Sequence, residues 1–289
     1  MVLASLLFAT MGVCVKLASA HYAVGEIVFY RSLTGAALLL GFSRWQGFRL
    51  RTSVPAMHFW RSATGVIALC LWFYTLGRLP LATAMTLNYM SSVWMALFLM
   101  GGAVMLGAAR LDWRLVATVL LGFAGVALVL RPTIAQEQLW PGLVGLLSGM
   151  IAATAYLQVT ALGRSGEPEG RIVFYFSLGG IAAGLALTLW TGWSAHSLRS
   201  VFLLLAVGVL ATTAQLLMTR AYSIGRTLVN ASLQYLGIAF SFAYGVWLFD
   251  DSISASAVAG MVLIVGAGLG ATLLRSRSAP DTVSHSAEP

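Results

Sequence analysis

Gly25-Glu26-Ile27-Val28-Phe29-Tyr30-Arg31-Ser32-Leu33-Thr34-Gly35 returns later in the chain as Gly170-Arg171-Ile172-Val173-Phe174-Tyr175-Phe176-Ser177-Leu178-Gly179-Gly180, with eight of eleven positions identical. Two further echoes keep the same order. Tyr74-Thr75-Leu76-Gly77-Arg78 pairs with Tyr222-Ser223-Ile224-Gly225-Arg226, and Leu87-Asn88-Tyr89-Met90 pairs with Leu233-Gln234-Tyr235-Leu236. One match between apolar segments would carry little weight, but three in the same order at near-constant spacing point to an internal duplication.

The duplicated stretches lie in a chain of 289 residues that is 59% hydrophobic and only 9% charged. A soluble domain has about 25% charged residues, so this composition cannot clothe a water-facing surface. A helix needs about 20 mostly apolar residues to cross the hydrocarbon core. Runs of that kind are Val2 to Ser19, Glu26 to Phe42, Ala56 to Leu76, Leu81 to Met105 and Trp113 to Leu130. After a polar break carrying Arg131, Pro132, Glu137 and Pro141 come Leu143 to Leu162, Ile172 to Trp190, Val201 to Tyr222, Leu228 to Phe249 and Ala255 to Leu274. Five spans is an odd number, so the second copy must enter the membrane in the opposite orientation. The expectation is an all-α membrane protein of ten transmembrane helices in two inverted five-helix repeats, residues 1–134 and 140–275. The Ser/Ala-rich tail, 276–289, reads as disordered. Inverted repeats are the architecture of many secondary transporters, with the solute site at the repeat interface.

Ala18-Ser19-Ala20 resembles a signal-peptidase site, but no basic segment precedes the first apolar run and Lys16 lies within it, so cleavage is not expected. Arginines and the single lysine report orientation. Arg44, Arg49, Arg51, Arg61, Arg110, Arg114, Arg164, Arg171, Arg226, Arg275 and Arg277 fall in one set of alternate loops and the tail, whereas Arg78, Arg131 and Arg199 fall in the other. The positive-inside rule then places both termini in the cytoplasm of a bacterial cell, with the chain in the inner membrane. The charge of +8 is scattered through loops rather than gathered on one face, which argues against a nucleic-acid partner. No lysine follows a glycine loop, so nucleotide hydrolysis is not expected. Cys14 and Cys70 sit inside apolar runs and read as small core residues rather than a disulfide framework. His21, His58, His196 and His285 form no metal-ligand spacing, and no catalytic constellation is visible; neither a cofactor, a metal nor an enzymatic role is expected.

Glu26-x-x-x-x-Arg31, Arg61-x-x-x-Gly65, Tyr74-Thr75-Leu76-Gly77-Arg78-Leu79-Pro80-Leu81-Ala82 and Gly260-x-x-Leu263-Ile264-x-Gly266 resemble the motifs of the drug/metabolite transporter superfamily, in its ten-helix EamA-type branch. The resemblance covers nearly the whole chain and is nearest to bacterial aromatic amino-acid exporters. It implies export of amino acids or related small metabolites, with drugs, nucleotides or other metabolites as the competing cargo and a channel as a weaker rival. One departure stands out: family members often carry a glutamate after the fourth and ninth spans, whereas this chain has Gly107-Ala108-Ala109-Arg110 in the first half and Asp250-Asp251 in the second.

Polar side chains deep in spans are costly unless they have a purpose. Asn88, Tyr89, Ser91, Ser92 and Trp94 in the fourth span stand opposite Asn230, Ser232, Gln234 and Tyr235 in the ninth by the repeat. Thr10, Trp72, Tyr74, Thr154, Tyr156, Gln158, Thr212, Thr213 and Gln215 are further candidates for contact with a small-molecule solute. Each of these could equally be a hydrogen bond between helices, worth about 0.6 kcal/mol. Lys16, Glu26 and Arg31 read as a gate or a contact for a substrate carboxylate, against a plainer reading in which Glu26 favours a helix N-terminus and Lys16 snorkels to the interface. Strongly anionic cargo is disfavoured by the few deep basic residues. Trp45, Trp60, Trp113, Trp140, Trp190 and Trp193, at span ends, belong to the belts that face lipid headgroups. Gly145-x-x-x-Gly149, Gly180-x-x-x-Gly184 and Gly266-x-x-x-Gly270 have the spacing of close helix contacts, within the chain or between copies; the oligomeric state does not follow from them. No Asp or Glu lies at mid-span, so facilitated diffusion fits at least as well as proton antiport.

Overall fold

A backbone in hydrocarbon must satisfy its own N–H and C=O groups, and a helix does this within one segment. The computed structural model describes residues 1–47, 50–107, 113–130, 136–224, 230, 233–251 and 254–278, and among them every regular element is helical. The helices are α1 (Val2–Ala18), α2 (Val24–Gln46), α3 (Pro55–Leu76), α4 (Leu81–Tyr89), α5 (Ser91–Met105), α6 (Trp113–Leu130), α7 (Gln136–Arg164), α8 (Glu169–Thr191), α9 (Leu198–Ile224), α10 (Leu236–Phe249) and α11 (Ala255–Ser278). By length and composition, α2, α3, α7, α8 and α9 can each cross a membrane; α1, α10 and the start of α11 are shorter apolar helices.

Three boundaries differ from the sequence expectation. Pro141 does not break the chain but lies inside α7, which begins at Gln136; its ring removes one N–H from the ladder near the helix start, a loss that leaves the following turns intact. The expected fourth span is divided into α4 and α5 at Met90, whose N–H reaches both Thr86 O (3.2 Å) and Leu87 O (3.3 Å), the tightening of a 3₁₀ turn. A turn at Tyr235 likewise separates Gln234 from α10. In the sequence echo Tyr235 corresponds to Tyr89, so the two interruptions fall one residue apart. Of the expected tail, 276–278 belong to α11, and 279–289 lie outside the described residues.

Helix pairing follows from small residues. Along α2 and α8, a Cβ at Gly184 would meet Phe29 N at 2.5 Å, so only glycine permits this approach. A Cβ at Gly149 of α7 would meet Leu87 O at 2.7 Å, which brings α7 against the end of α4. Gly266, by contrast, has nothing within 4 Å, so the third glycine motif makes no comparable approach there. Further extensive contacts join α3 to α7, α1 to α9, α1 to α10 and α6 to α11. Trp45 and Trp190, at helix ends, are 82% and 90% exposed, and Trp60, Trp113, Trp140 and Trp193 are exposed as well, as belt residues should be.

Candidate functional site

The helices enclose a central cavity of about 50 Å³. At roughly 10–15 Å³ per water this is room for only a few water molecules, far below the 300–1,000 Å³ of a drug-sized pocket. Larger grooves of about 630 and 700 Å³ lie on the outside, walled almost wholly by aliphatic and aromatic side chains; they suit acyl chains rather than a polar solute.

Helical periodicity builds the cavity wall. Arg61, Gly65, Leu69 and Trp72 succeed one another along one face of α3, and Ala152, Ala155 and Tyr156 along one face of α7. Asn88 and Tyr89 come from the end of α4, Gln234 from the matching interruption, Arg31 from α2, Phe176 from α8, Gln215 from α9 and Phe8 from α1. Asn88 Nδ2 donates to Ser148 Oγ at 2.9 Å, and Tyr156 stacks on Tyr222 at 5.5 Å and 11°.

The two arginines dominate the electrostatics. Both are buried, 4% and 2% exposed, and their guanidinium carbons lie 5.1 Å (Arg31) and 4.5 Å (Arg61) from the centre of the same ring, Phe176. In the sequence echo Phe176 stands at the position of Arg31. Two unit charges that share a ring lie within about 10 Å and repel by roughly 1–2 kcal/mol at an effective dielectric of 20. The guanidinium of Arg61 folds back over Gly65, where any Cβ would collide with Nη1. Among the described residues neither arginine has an acidic partner and no Asp or Glu lines the cavity. Arg31 Nε, Arg61 Nε and Nη1, Trp72 Nε1, Tyr89 Oη, Gln215 Nε2 and Gln234 Oε1 are buried without a hydrogen-bond partner. Most of these are donors.

Ion pairs close the bundle at either end. Lys16 Nζ lies 3.2 Å from both carboxylate oxygens of Asp251 and 4.4 Å from the Phe249 ring, while Leu81 N donates to Asp251 Oδ2 at 3.1 Å. On the same end Ser194 donates twice to Glu26, through N at 3.0 Å and Oγ at 2.6 Å. At the other end Glu167 accepts from Thr52 Oγ1 (3.0 Å) and Arg171 Nη1 (3.0 Å) and lies 2.9 Å from His58 Nε2. Burial works against the Glu167 charge, but bonds to His58, Arg171 and Thr52 outweigh it and hold its pKa below the usual carboxylate value.

Of the candidates read from the sequence, Trp72, Asn88, Tyr89, Tyr156, Gln215, Gln234 and Arg31 meet at the cavity. The others are placed elsewhere. Thr10 Oγ1 bonds Tyr244 Oη at 3.0 Å and ties α1 to α10. Tyr74 lies under Arg78. Trp94 packs against Phe98 and Phe123. Gln158 accepts from Thr64 at 2.9 Å between α7 and α3. Asn230 donates to the carbonyl of Ala221, and Tyr235 faces the outer apolar groove. Glu26 and Arg31 do not pair: Glu26 holds Ser194, and Arg31 turns into the cavity. The reverse correction is Arg61. Counted from the sequence as a loop charge, it is a cavity residue, because α3 begins at Pro55 and the face that carries His58, Arg61, Ser62 and Gly65 is already buried. The Arg61-x-x-x-Gly65 spacing was the available signal.

The amino-terminal part, residues 1–131, matches the model of the EamA-like transporter family. A pseudopaline exporter of Pseudomonas aeruginosa is 34% identical, over 91% of this chain and 91% of the relative. The chain belongs to the EamA-like transporter family. Among other relatives of this EamA-like transporter is an S-adenosylmethionine uptake transporter of Rickettsia bellii, 23% identical over 84% of this chain and 82% of the relative. A crystal structure that covers 95% of the chain superposes with a TM-score of 0.69 at 20% identity, which establishes a shared fold. The protein is therefore a multi-pass membrane transporter of the drug/metabolite transporter superfamily, consistent with its apolar helices.

Proposed function

We propose that this chain is a secondary carrier that exports an amino-acid-derived metabolite across the bacterial inner membrane by alternating access. The observation that carries this reading is the cavity itself: α2, α3 and α4 supply one part of its wall and α7, α8, α9 and Gln234 the other, so residues from both halves of the chain line it. Amides and aromatic rings together suit a solute with one polar end and one apolar end. The ten-span inverted-repeat reading is supported by the pairing of helices. Exchanging each helix for its counterpart in the sequence echo turns α3–α7 into α9–α1 and α1–α10 into α7–α5, and leaves α2–α8 and α6–α11 unchanged, all of which are pairs in contact. With both termini cytoplasmic, Lys16–Asp251 lies at the periplasmic end and the Glu167 cluster at the cytoplasmic end. Each joins the two halves, and each must open in turn, because so small a cavity cannot admit a metabolite from either side. Relatives named for pseudopaline export and S-adenosylmethionine uptake support a metabolite rather than an ion.

The test is solute movement in proteoliposomes loaded with labelled phenylalanine, leucine, S-adenosylmethionine or pseudopaline. Saturable movement of at least one, lost in Asn88→Ala/Gln234→Ala, is expected without an imposed proton gradient. Protein that unfolds cooperatively yet moves none of them would defeat the proposal.

A further inference from the structure

The mechanism above uses the cavity but leaves two of its groups unexplained. Arg31 and Arg61 bring two positive charges into the middle of an apolar bundle, onto one aromatic ring, with no carboxylate among the described residues to meet them. Five acidic side chains of the described residues are engaged or placed elsewhere: Glu26 with Ser194, Glu167 with His58 and Arg171, Asp251 with Lys16, and Glu169 and Asp250 outside the cavity wall. An arginine this deep in a membrane protein normally pairs or marks a solute path. Packing alone does not require the pair, since the second copy of the repeat has phenylalanine where the first has Arg31. Nor is the arrangement an accident of slack packing, because Gly65 is shaped to receive the folded-back Arg61 guanidinium.

We propose that Arg31 and Arg61 form the anion-recognition element of the carrier, and that its cargo bears at least two carboxylates. This rests on the carrier reading only in taking the cavity as the cargo's resting place. A guanidinium offers a planar fork of donors that matches a carboxylate two-to-two. Arg31 Nε and Arg61 Nε and Nη1 are the unpartnered donors such oxygens would meet, with Trp72 Nε1 and Gln215 Nε2 beside them. Two fixed positive charges are balanced by two negative ones. A neutral zwitterionic amino acid leaves one charge uncompensated and adds an ammonium beside it, so it is the poorer ligand. The Phe176 ring holds the two forks apart and sets the spacing of the carboxylates.

Thermal unfolding of the full-length protein in detergent micelles tests this with simple probes, the linear dicarboxylates from malonate to adipate against acetate at matched ionic strength. At least one dicarboxylate is expected to raise Tm by several degrees more than acetate does. Arg31→Gln and Arg61→Gln should each remove that excess, and Arg44→Gln, at the exposed end of α2, should keep it. Arg61→Lys retains the charge without the fork and should at least halve the shift; it serves if a glutamine variant does not fold. No excess over acetate for any dicarboxylate, or an excess undiminished in the Arg61 variants, overturns the proposal. A dicarboxylate shift in protein that moves no amino-acid metabolite would instead discard the cargo reading above and keep the anion site.

Discussion

Lys16 Nζ and the carboxylate of Asp251, 235 positions apart in the chain, meet at 3.2 Å through both oxygens, and the pair is mostly shielded from solvent, with side chains 19% and 11% exposed. Asp251 also holds the first N–H of α4, so one carboxylate gathers α1, α4 and the end of α10. Asp251→Ala is expected to cost roughly 2 kcal/mol, as for a hydrogen bond to a charged group. The Lys16→Ala/Asp251→Ala double variant should lose clearly less than the sum of the singles, by at least about 0.5 kcal/mol in a thermal or denaturant cycle. Additive losses would show that the two side chains act independently.

Glu167 makes stability depend on acid. Its pKa is lowered in the folded protein, so its contribution is fully present above the unfolded value of about 4.3 and is lost as pH falls through the lower folded value. Wild-type Tm should therefore drop as pH is taken from 5 towards 3. Glu167→Gln should begin lower at pH 7 and show a shallower decline over that window, and parallel curves would rule out Glu167 as the source.

Gly65 is required by the guanidinium above it. Gly65→Ala places a Cβ against Arg61 Nη1 and near the Phe176 ring, so it should reduce transport at least tenfold through a displaced Arg61. Gly102→Ala has open space around it and should transport normally while gaining some of the 0.5–1 kcal/mol that alanine offers over glycine in a helix. Equal activity of the two variants in proteoliposomes would exclude the steric argument.

Asn88 and Gln158 both bond across helices, but only Asn88 faces the cavity. Asn88→Ala should raise the KM for the transported solute and cost about 1 kcal/mol of stability. Gln158→Ala should show the stability cost alone, with KM unchanged. A KM effect from Gln158 would mean that the wall of the site reaches to the far side of α7.

What could be read in the chain was whatever repeats along it. Apolar length located every described helix to within a few residues, except where Met90 and Tyr235 interrupt and Pro141 does not, because the requirement for internal backbone hydrogen bonds acts locally and leaves a periodic trace. The echo of Gly25–Gly35 in Gly170–Gly180 likewise pointed to α2 and α8, which lie against each other. Facing was not legible. Trp72, Asn88 and Gln234 share a cavity while Gln158, Thr10 and Trp94 do not, although all are polar or aromatic groups inside spans; which side a residue turns to is decided by the helix packed against it. Arg61 shows this most sharply. From the sequence it is one more arginine near a span end, and only the approach of Phe176 and the space left by Gly65 make it a buried charge in need of a partner. Composition and periodicity thus determined that the chain is a helical membrane protein with an internal sequence echo, whereas the tertiary structure decided which of its polar groups meet, because side-chain burial depends on neighbours that the chain brings together from far apart.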